Sequence, residues 1–225
     1  MLAGLITLEA GKPIKDARAE VRRAATTFQI ALEEAKRLGG EVLPLDLAAG
    51  SEGRFGIVRR FPIGPVLGIT PFNFPLNLEA HKAAPAMACG NPIILKPAIK
   101  TPLTALALGE IITEAGWPDG GVNVVLCSDE NTGRLLEDER IRKLSFTGSA
   151  KVGWMLKDRA GTRRVTLELG GNAGVIVHSD ADLDYAAKRC VAGAFSYAGQ
   201  ICISVQRIYV EKGVYERFKD TFIGI

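Results

Sequence analysis

Phe146-Thr147-Gly148-Ser149-Ala150-Lys151-Val152-Gly153 reads as the end of a strand, a glycine turn and the start of a helix. A strand that turns on glycine into a helix is the building unit of parallel α/β folds, because parallel strands need a crossover to bring the chain back. Ser149 suits an N-cap, and the exposed N–H groups of a first helical turn form an anion site fit for a pyrophosphate. The Gly-Ser-x-x-x-Gly spacing departs from the usual dinucleotide fingerprint, so an ordinary capped helix stays open as a reading.

The same alternation extends in both directions. Strands are expected at 56–61, 65–70, 92–95, 122–126, 142–146, 164–169, 174–177 and 206–210. Helices are expected at 78–89, 103–115, 132–137, 150–159 and 183–197. Strands and helices that alternate at these lengths give an α/β fold with a doubly wound parallel sheet. The first 60 residues differ. Ala17, Val21, Ala24, Ala25, Phe28, Ala31 and Leu32 recur at spacings of three and four, which predicts one long amphipathic helix over 14–38. Residues 41–46 and 54–61, joined through Gly50 and Gly53, predict an antiparallel hairpin.

Bulk properties exclude several classes of function. The 225 residues are 47% hydrophobic and 24% charged, with a net charge of +3, as in an ordinary globular protein. Lys and Arg are scattered, so no nucleic-acid partner is expected; Arg59-Arg60 and Arg163-Arg164 read as solvated strand edges. No apolar run reaches the roughly 18 residues of a membrane span. Cys89, Cys127, Cys190 and Cys202 show no metal-ligand spacing, and with only His81 and His178 beside them no metal site is expected. Residues 1–5 lack the features of a signal peptide, so the expected setting is reduced and cytoplasmic.

Four places carry chemistry. In Gly68-Ile69-Thr70-Pro71-Phe72-Asn73-Phe74-Pro75 a strand ends in a Pro-bracketed turn, where ligands of open α/β sheets bind. The Asn73 amide there can donate to a developing oxyanion, or can close an Asx-turn on its own backbone. Lys96, at the end of Ile93-Ile94-Leu95-Lys96-Pro97, is placed to grip a ribose hydroxyl or phosphate, or else snorkels at the surface. Glu168 in Leu167-Glu168-Leu169-Gly170-Gly171 sits among apolar residues. Burial would raise its pKa and fit it for general-base work, the alternative being a structural ion pair. Cys202, after Gly199-Gln200-Ile201, lies in a turn whose backbone N–H can face a reacting carbonyl; a buried core thiol is the alternative.

In this order the segments resemble landmarks of the NAD(P)-dependent aldehyde dehydrogenase superfamily. The likeness also takes in Leu8-Glu9-Ala10-Gly11-Lys12-Pro13 and Thr101-Pro102, and it runs through essentially the whole chain. The tail Cys202-Ile203-Ser204-Val205-Gln206-Arg207 is similar to the lactaldehyde and related small-aldehyde branches. The resemblance implies a Rossmann-type cofactor domain over 1–170, with an oligomerisation hairpin near 41–62, and the start of a second α/β catalytic domain over 171–225. It implies oxidation of an aldehyde to a carboxylic acid, with Cys202 as nucleophile, Asn73 holding the oxyanion and Glu168 activating water. Thr70, Pro71, Phe72, Lys96, Gly133, Phe146, Gly148, Ser149 and Leu169 are implied at NAD or NADP, and a homo-oligomer (dimer or tetramer) is implied as the assembly.

Two departures from the family pattern set further expectations. NAD-preferring members often carry a glutamate three residues after the lysine; here Ile99 stands there with Lys100 beside it, so NADP is expected to be accepted, with the preference between NAD and NADP left open. Family members are about twice this length, so the chain reads as an internal portion that turns over weakly or not at all by itself. A CoA-acylating relative, or a non-catalytic nucleotide-binding piece, are the competing readings.

Overall fold

The computed structural model describes residues 1–225, and the chain divides into two compact units. The first comprises residues 1–147 and 151–167; the second comprises 148–150 and 168–225.

The first unit opens with α1 (Leu2–Ala10) and α2 (Ile14–Ala35). Gly11 ends α1 in the left-handed conformation at φ 65°, and its N–H returns to the Thr7 carbonyl at 3.1 Å. That sharp exit turns Lys12 inward, where the side chain is almost wholly buried (1% exposed). On α2 the buried positions are Ala17, Glu20 and Ala24, so a carboxylate interrupts an otherwise apolar stripe. Glu20 pairs with Lys12, and both side chains are 1% exposed. A buried ion pair is tolerable only when its remaining groups are also bonded. Glu20 Oε1 accepts from the Leu76 and Asn77 N–H groups at 3.0 and 3.1 Å, and the Lys12 ammonium donates to the Asn73 carbonyl at 2.7 Å.

The hairpin pairs β1 (Glu41–Pro44) with β2 (Phe55–Val58) antiparallel, Glu41 opposite Val58 and Pro44 opposite Phe55. Val42, Leu47, Phe55 and Ile57 are each at least 65% exposed on it. The chain then runs through β3 (Val66–Ile69), α3 (Asn77–Ala88), β4 (Ile93–Lys96), α4 (Leu103–Glu114), β5 (Val122–Val124), α5 (Asp129–Glu137), β6 (Lys143–Gly148), α6 (Ala150–Arg159) and β7 (Arg164–Leu169). These strands form one sheet in the order β5-β4-β3-β6-β7. β3 pairs parallel with β4 and β6, and β4 with β5. The winding runs outward from β3 to β5, then returns to place β6 on the other side of β3. All four β3 residues are buried, as the centre of a parallel sheet requires.

In the second unit β8 (Ala173–Val177) pairs parallel with β9 (Val205–Val210) across α7 (Leu183–Phe195), a βαβ unit. α8 (Tyr215–Ile223) supplies Phe218 to a core with Val177, Leu183, Ala187 and Cys190.

Expected elements are present, and their ends shift by a few residues. α5 begins at Asp129 rather than 132, because Ser128 Oγ accepts from the Asn131 N–H at 3.3 Å and caps it. α2 ends at Ala35, ahead of Gly39 and Gly40. α7 stops at Phe195, where Ser196 is extended at ψ 133°. Arg163 is no solvated edge: its guanidinium donates to the carbonyls of Glu137, Asp138, Ala160 and Ile141.

Lys12→Met alone strands the Glu20 carboxylate, and is expected to cost about 3–5 kcal/mol in urea unfolding. Lys12→Met with Glu20→Gln removes both charges and is expected to recover part of that loss. A double variant no more stable than the sum of the two single changes would show the pair to be uncoupled.

Candidate active site

The sheet reverses its winding between β3 and β6, and in open α/β sheets the crevice beyond the carboxyl ends at such a switch receives ligands. Ile69 and Phe146 are register partners at those ends. After Ile69 the chain enters the turn Thr70-Pro71-Phe72-Asn73, which no helix or strand supports. Instead it is pinned from below. The Lys12 ammonium bonds the Asn73 carbonyl and lies 3.8 Å from the centre of the Phe74 ring, while Glu20 caps the helix that follows. Asn73 is half-buried on this turn.

The other residues expected in the first unit fall out as follows. Lys96 ends β4 only 7% exposed, its ammonium 3.4 Å from Asp129 Oδ1, so it is buried at the strand end rather than snorkelling. Phe72 is half-buried, with the Lys100 ammonium 5.7 Å from its ring centre. Phe146 is 5% exposed, in the sheet's interior. Gly133 is buried in α5, where a Cβ would come within 2.6 Å of the Arg159 guanidinium. Thr70 is buried, and its hydroxyl donates to Glu79 on α3.

Glu79 leads to a group of residues that sequence reasoning missed. It is fully buried; Oε1 accepts from Thr70 and Oε2 makes no hydrogen bond. One turn on, Lys82 is also buried, and donates to Thr147 Oγ1 at 2.9 Å and Ser145 Oγ at 3.3 Å on β6. Its stem crosses β3 over Gly68, where a Cβ would stand 3.2 Å from Lys82 Cδ. Gly68 is thus the gap through which α3 reaches β6. Burial pushes the Glu79 carboxyl up to about 7, against the pull of the Thr70 hydrogen bond and the Lys82 charge. The only sequence signal was two charges three apart on an otherwise apolar helix face.

In the second unit, Gly148 ends β6 and Ser149 directly precedes α6. Leu169 is half-buried at the end of β7. Glu168 is exposed, so the burial that its apolar neighbours in sequence suggest is not found. β7 is the outer strand of its sheet, and its residues alternate between exposed and half-buried, with Arg164, Thr166 and Glu168 on the open face. The apolar neighbours in sequence point the other way, as alternation in a strand dictates.

Cys202 is exposed, which rules out the core thiol. Three left-handed residues precede it: Tyr197 at φ 49°, Ala198 at φ 52° and Gly199 at φ 72°. Only the glycine adopts this freely; the other two cost on the order of 1–2 kcal/mol each. Hydrogen bonds hold the turn in place. The Gln200 N–H donates to the Tyr197 carbonyl at 3.0 Å, and the Ser204 N–H to the Ile201 carbonyl at 3.0 Å. Ser204 Oγ donates back to the Ala194 carbonyl on α7 at 3.0 Å. On the neighbouring loop, a Cβ on Gly171 would lie 3.8 Å from the Cys202 carbonyl.

Two places carry donors suited to parts of a dinucleotide. Lys96, at a strand end, presents an ammonium beside a fully exposed carboxylate, a pair able to bind ribose hydroxyls. Gly148 and Ser149 ahead of the ten-residue α6 supply the glycine step and helix start that a diphosphate requires. Two concavities of the first unit, of about 370 and 380 Å³, contain none of the candidate residues; one is lined mainly by apolar side chains, the other includes Arg142, Arg163 and Arg164. No helix is long and apolar enough to cross a membrane.

The aldehyde dehydrogenase family matches residues 1–224. A 3-sulfolactaldehyde dehydrogenase of Priestia aryabhattai is 48% identical over 96% of the chain and 46% of its own length. A lactaldehyde dehydrogenase of Methanocaldococcus jannaschii is 43% identical, over 99% of the chain and 48% of its own. Among solved structures, aldehyde dehydrogenase 21 of Physcomitrella patens, in complex with the product succinate, superposes with a TM-score of 0.93 at 49% identity, covering 99% of the chain and 47% of that protein. The chain therefore spans about half the length of the relatives it matches.

The buried carboxyl has a consequence for stability. Folded Glu79 keeps its proton to about pH 7, whereas its ordinary value is 4.5. Between those values the folded state binds more protons than the unfolded one, so stability falls as pH rises from 4.5 through 7 and then levels. The loss amounts to about 3 kcal/mol at 1.4 kcal/mol per unit. Urea midpoints between pH 5 and 8 are expected to fall in the wild type and to stay nearly level in Glu79→Gln; equal slopes would show Glu79 ionised throughout.

Proposed function

Because the chain belongs to the aldehyde dehydrogenase family, we propose that it serves oxidation of an aldehyde to the carboxylic acid with NAD or NADP as acceptor, Cys202 forming the covalent bond to substrate and the 225 residues turning over weakly at most by themselves. The exposed cysteine at the end of a strained, hydrogen-bonded turn carries this reading. The preceding left-handed residues fix the backbone so that the Sγ and N–H of one residue can serve the same carbonyl.

Cys202 Sγ, as thiolate, adds to the aldehyde carbon and gives a thiohemiacetal. The oxyanion accepts hydrogen bonds from the Cys202 N–H and the Asn73 side-chain amide, the latter set by the clamp on its turn. The bound dinucleotide supplies the hydride acceptor. With the hydride gone, Cys202 carries a thioester. Glu168 takes a proton from water, the water oxygen adds to the thioester carbon, and the acid leaves with Cys202 restored as thiolate.

Lys96 is assigned to the ribose hydroxyls, and Gly148 and Ser149 to the diphosphate. Ile99 is 59% exposed and brings no carboxylate to repel a 2′-phosphate, which supports acceptance of NADP. The named relatives favour a short aldehyde bearing an anionic or hydroxyl group as substrate. The four free cysteines accord with a reduced, cytoplasmic setting. We assign the hairpin, with its exposed Val42, Phe55 and Ile57, to self-association. Phe55→Ser with Ile57→Ser is expected to lower the sedimentation coefficient; an unchanged value would remove the hairpin from assembly.

The test is reduction of NAD and NADP by short aldehydes, with mass analysis of the protein. Cys202→Ala is expected to abolish both NAD(P)H formation and the acyl adduct. Glu168→Gln is expected to leave the adduct in place while slowing acid release by at least about 100-fold. Product as acyl-CoA instead of free acid, or turnover surviving Cys202→Ala, would overturn this assignment.

A further inference from the structure

The loop that carries Cys202 is closed on both sides of the cysteine by hydrogen bonds, and the later closure is made by Ser204. The Ser204 N–H donates to the Ile201 carbonyl at 3.0 Å, so Cys202 is the second residue of a four-residue turn. Such a turn is closed from the fourth N–H to the first carbonyl, and the N–H of its second residue is left unused. The Cys202 N–H accordingly makes no hydrogen bond within the chain. The Ser204 side chain adds a second tie. It is 3% exposed, and its Oγ donates to the Ala194 carbonyl at 3.0 Å. That carbonyl belongs to the last turn of α7, where partners within the helix run out. Gly199 makes room for the tie: a Cβ there would stand 3.3 Å from the Ala194 oxygen and 3.8 Å from Ser204 Oγ.

We propose that Ser204 is a positioning residue: its buried hydroxyl, tied to the end of α7, holds the 201–204 turn so that the Cys202 N–H faces the carbonyl oxygen of the group that Cys202 Sγ attacks. This rests on the covalent role proposed above for Cys202. The bond from Ser204 to Ile201 fixes the shape of the turn, whereas the bond to Ala194 fixes its place against the helix. Tyr197 and Ala198, left-handed at φ 49° and 52°, are conformations that persist only where the surroundings enforce them. A donor to an oxyanion lowers the barrier only if it is aimed before the charge develops. Ser204 touches neither substrate nor Sγ; it acts through the backbone of Cys202.

Such a role acts on one kind of thiol reaction and spares another. When a thiolate adds to a phenyl ester, the S–C bond forms and negative charge gathers on the carbonyl oxygen. The charge then returns, the C–O bond to the phenolate breaks, and a thioester remains. Alkylation by iodoacetamide forms the S–C bond as the C–I bond breaks; iodide carries the charge away and no oxyanion appears. A group that aligns the Cys202 N–H acts on the first reaction alone, whereas one that governs access to the thiol or its ionisation acts on both.

The experiment compares the two reactions in the full chain, with p-nitrophenyl acetate and iodoacetamide as probes and peptide mass analysis reading each cysteine at early times. Cys190, 3% exposed in the core of the second unit, reports folding, because it stays unmodified while that core is intact. In Ser204→Ala, acylation of Cys202 is expected to slow about tenfold while alkylation stays within about twofold of the wild type. The loss is smaller than the roughly 100-fold or more of an oxyanion donor removed outright, because the N–H itself remains. Ser204→Thr and Ser204→Val share a shape and differ in the hydroxyl. The first is expected to keep the wild-type ratio of the two rates and the second to lose it, a comparison that stands even if the alanine variant exposes Cys190. An unchanged ratio in Ser204→Ala, or equal ratios in the threonine and valine variants, overturns the positioning role alone. A wild-type chain alkylated but never acylated at Cys202 overturns both that role and the covalent assignment.

Discussion

The pairing of Lys12 with Glu20 ties the helical N-terminal region to the turn after β3 and to the start of α3. Two charges taken out of water repay their desolvation only if every remaining donor and acceptor is used. Here the spare bonds go to the carbonyl of Asn73 and to the first N–H groups of α3. The pair therefore fixes the turn that leaves β3 and the start of the helix that covers it. The left-handed Gly11 makes this possible, since it ends α1 abruptly enough to send the next side chain inward.

From that anchor a polar layer follows. α3, held at its N-terminus by Glu20, presents Glu79 and Lys82 to the sheet. The absence of a side chain at Gly68 lets Lys82 cross the central strand to Ser145 and Thr147. One short helix thereby touches the end of β3 and the end of β6, the two strands between which the winding reverses. Hydrogen bonds at both places limit how far either strand end can move independently of α3.

Much of the architecture was legible in the residues. Continuous apolar runs such as Pro92-Ile93-Ile94-Leu95 announced buried parallel strands, and the three-and-four spacing of Ala17, Val21 and Ala24 announced α2. Element ends were less legible, because they depend on single caps: Ser128 starts α5, and Ser196 stops α7. Among site residues, the strand-end positions of Thr70 and Lys96 and the turn at Cys202 could be placed from pattern. The exposure of Glu168 was not legible, because its flanking leucines read as apolar surroundings. In a strand, neighbours in sequence point to the opposite face, and β7 lies at the sheet's edge.

Lys12, Glu20, Glu79 and Lys82 show the complementary limit. Each is a charged residue, and nothing local distinguishes it from the many charges that face water. Their burial arises from contacts between segments distant in sequence: residue 12 with 73, residue 20 with 76, residue 82 with 147. By itself the sequence determined the order of strands and helices, the family likeness and the thiol at position 202, because periodicity, turn residues and motif spacing are local properties. Only the tertiary structure decided which charges are desolvated and which carboxylate lies open, because desolvation is set by whatever the fold packs against a side chain.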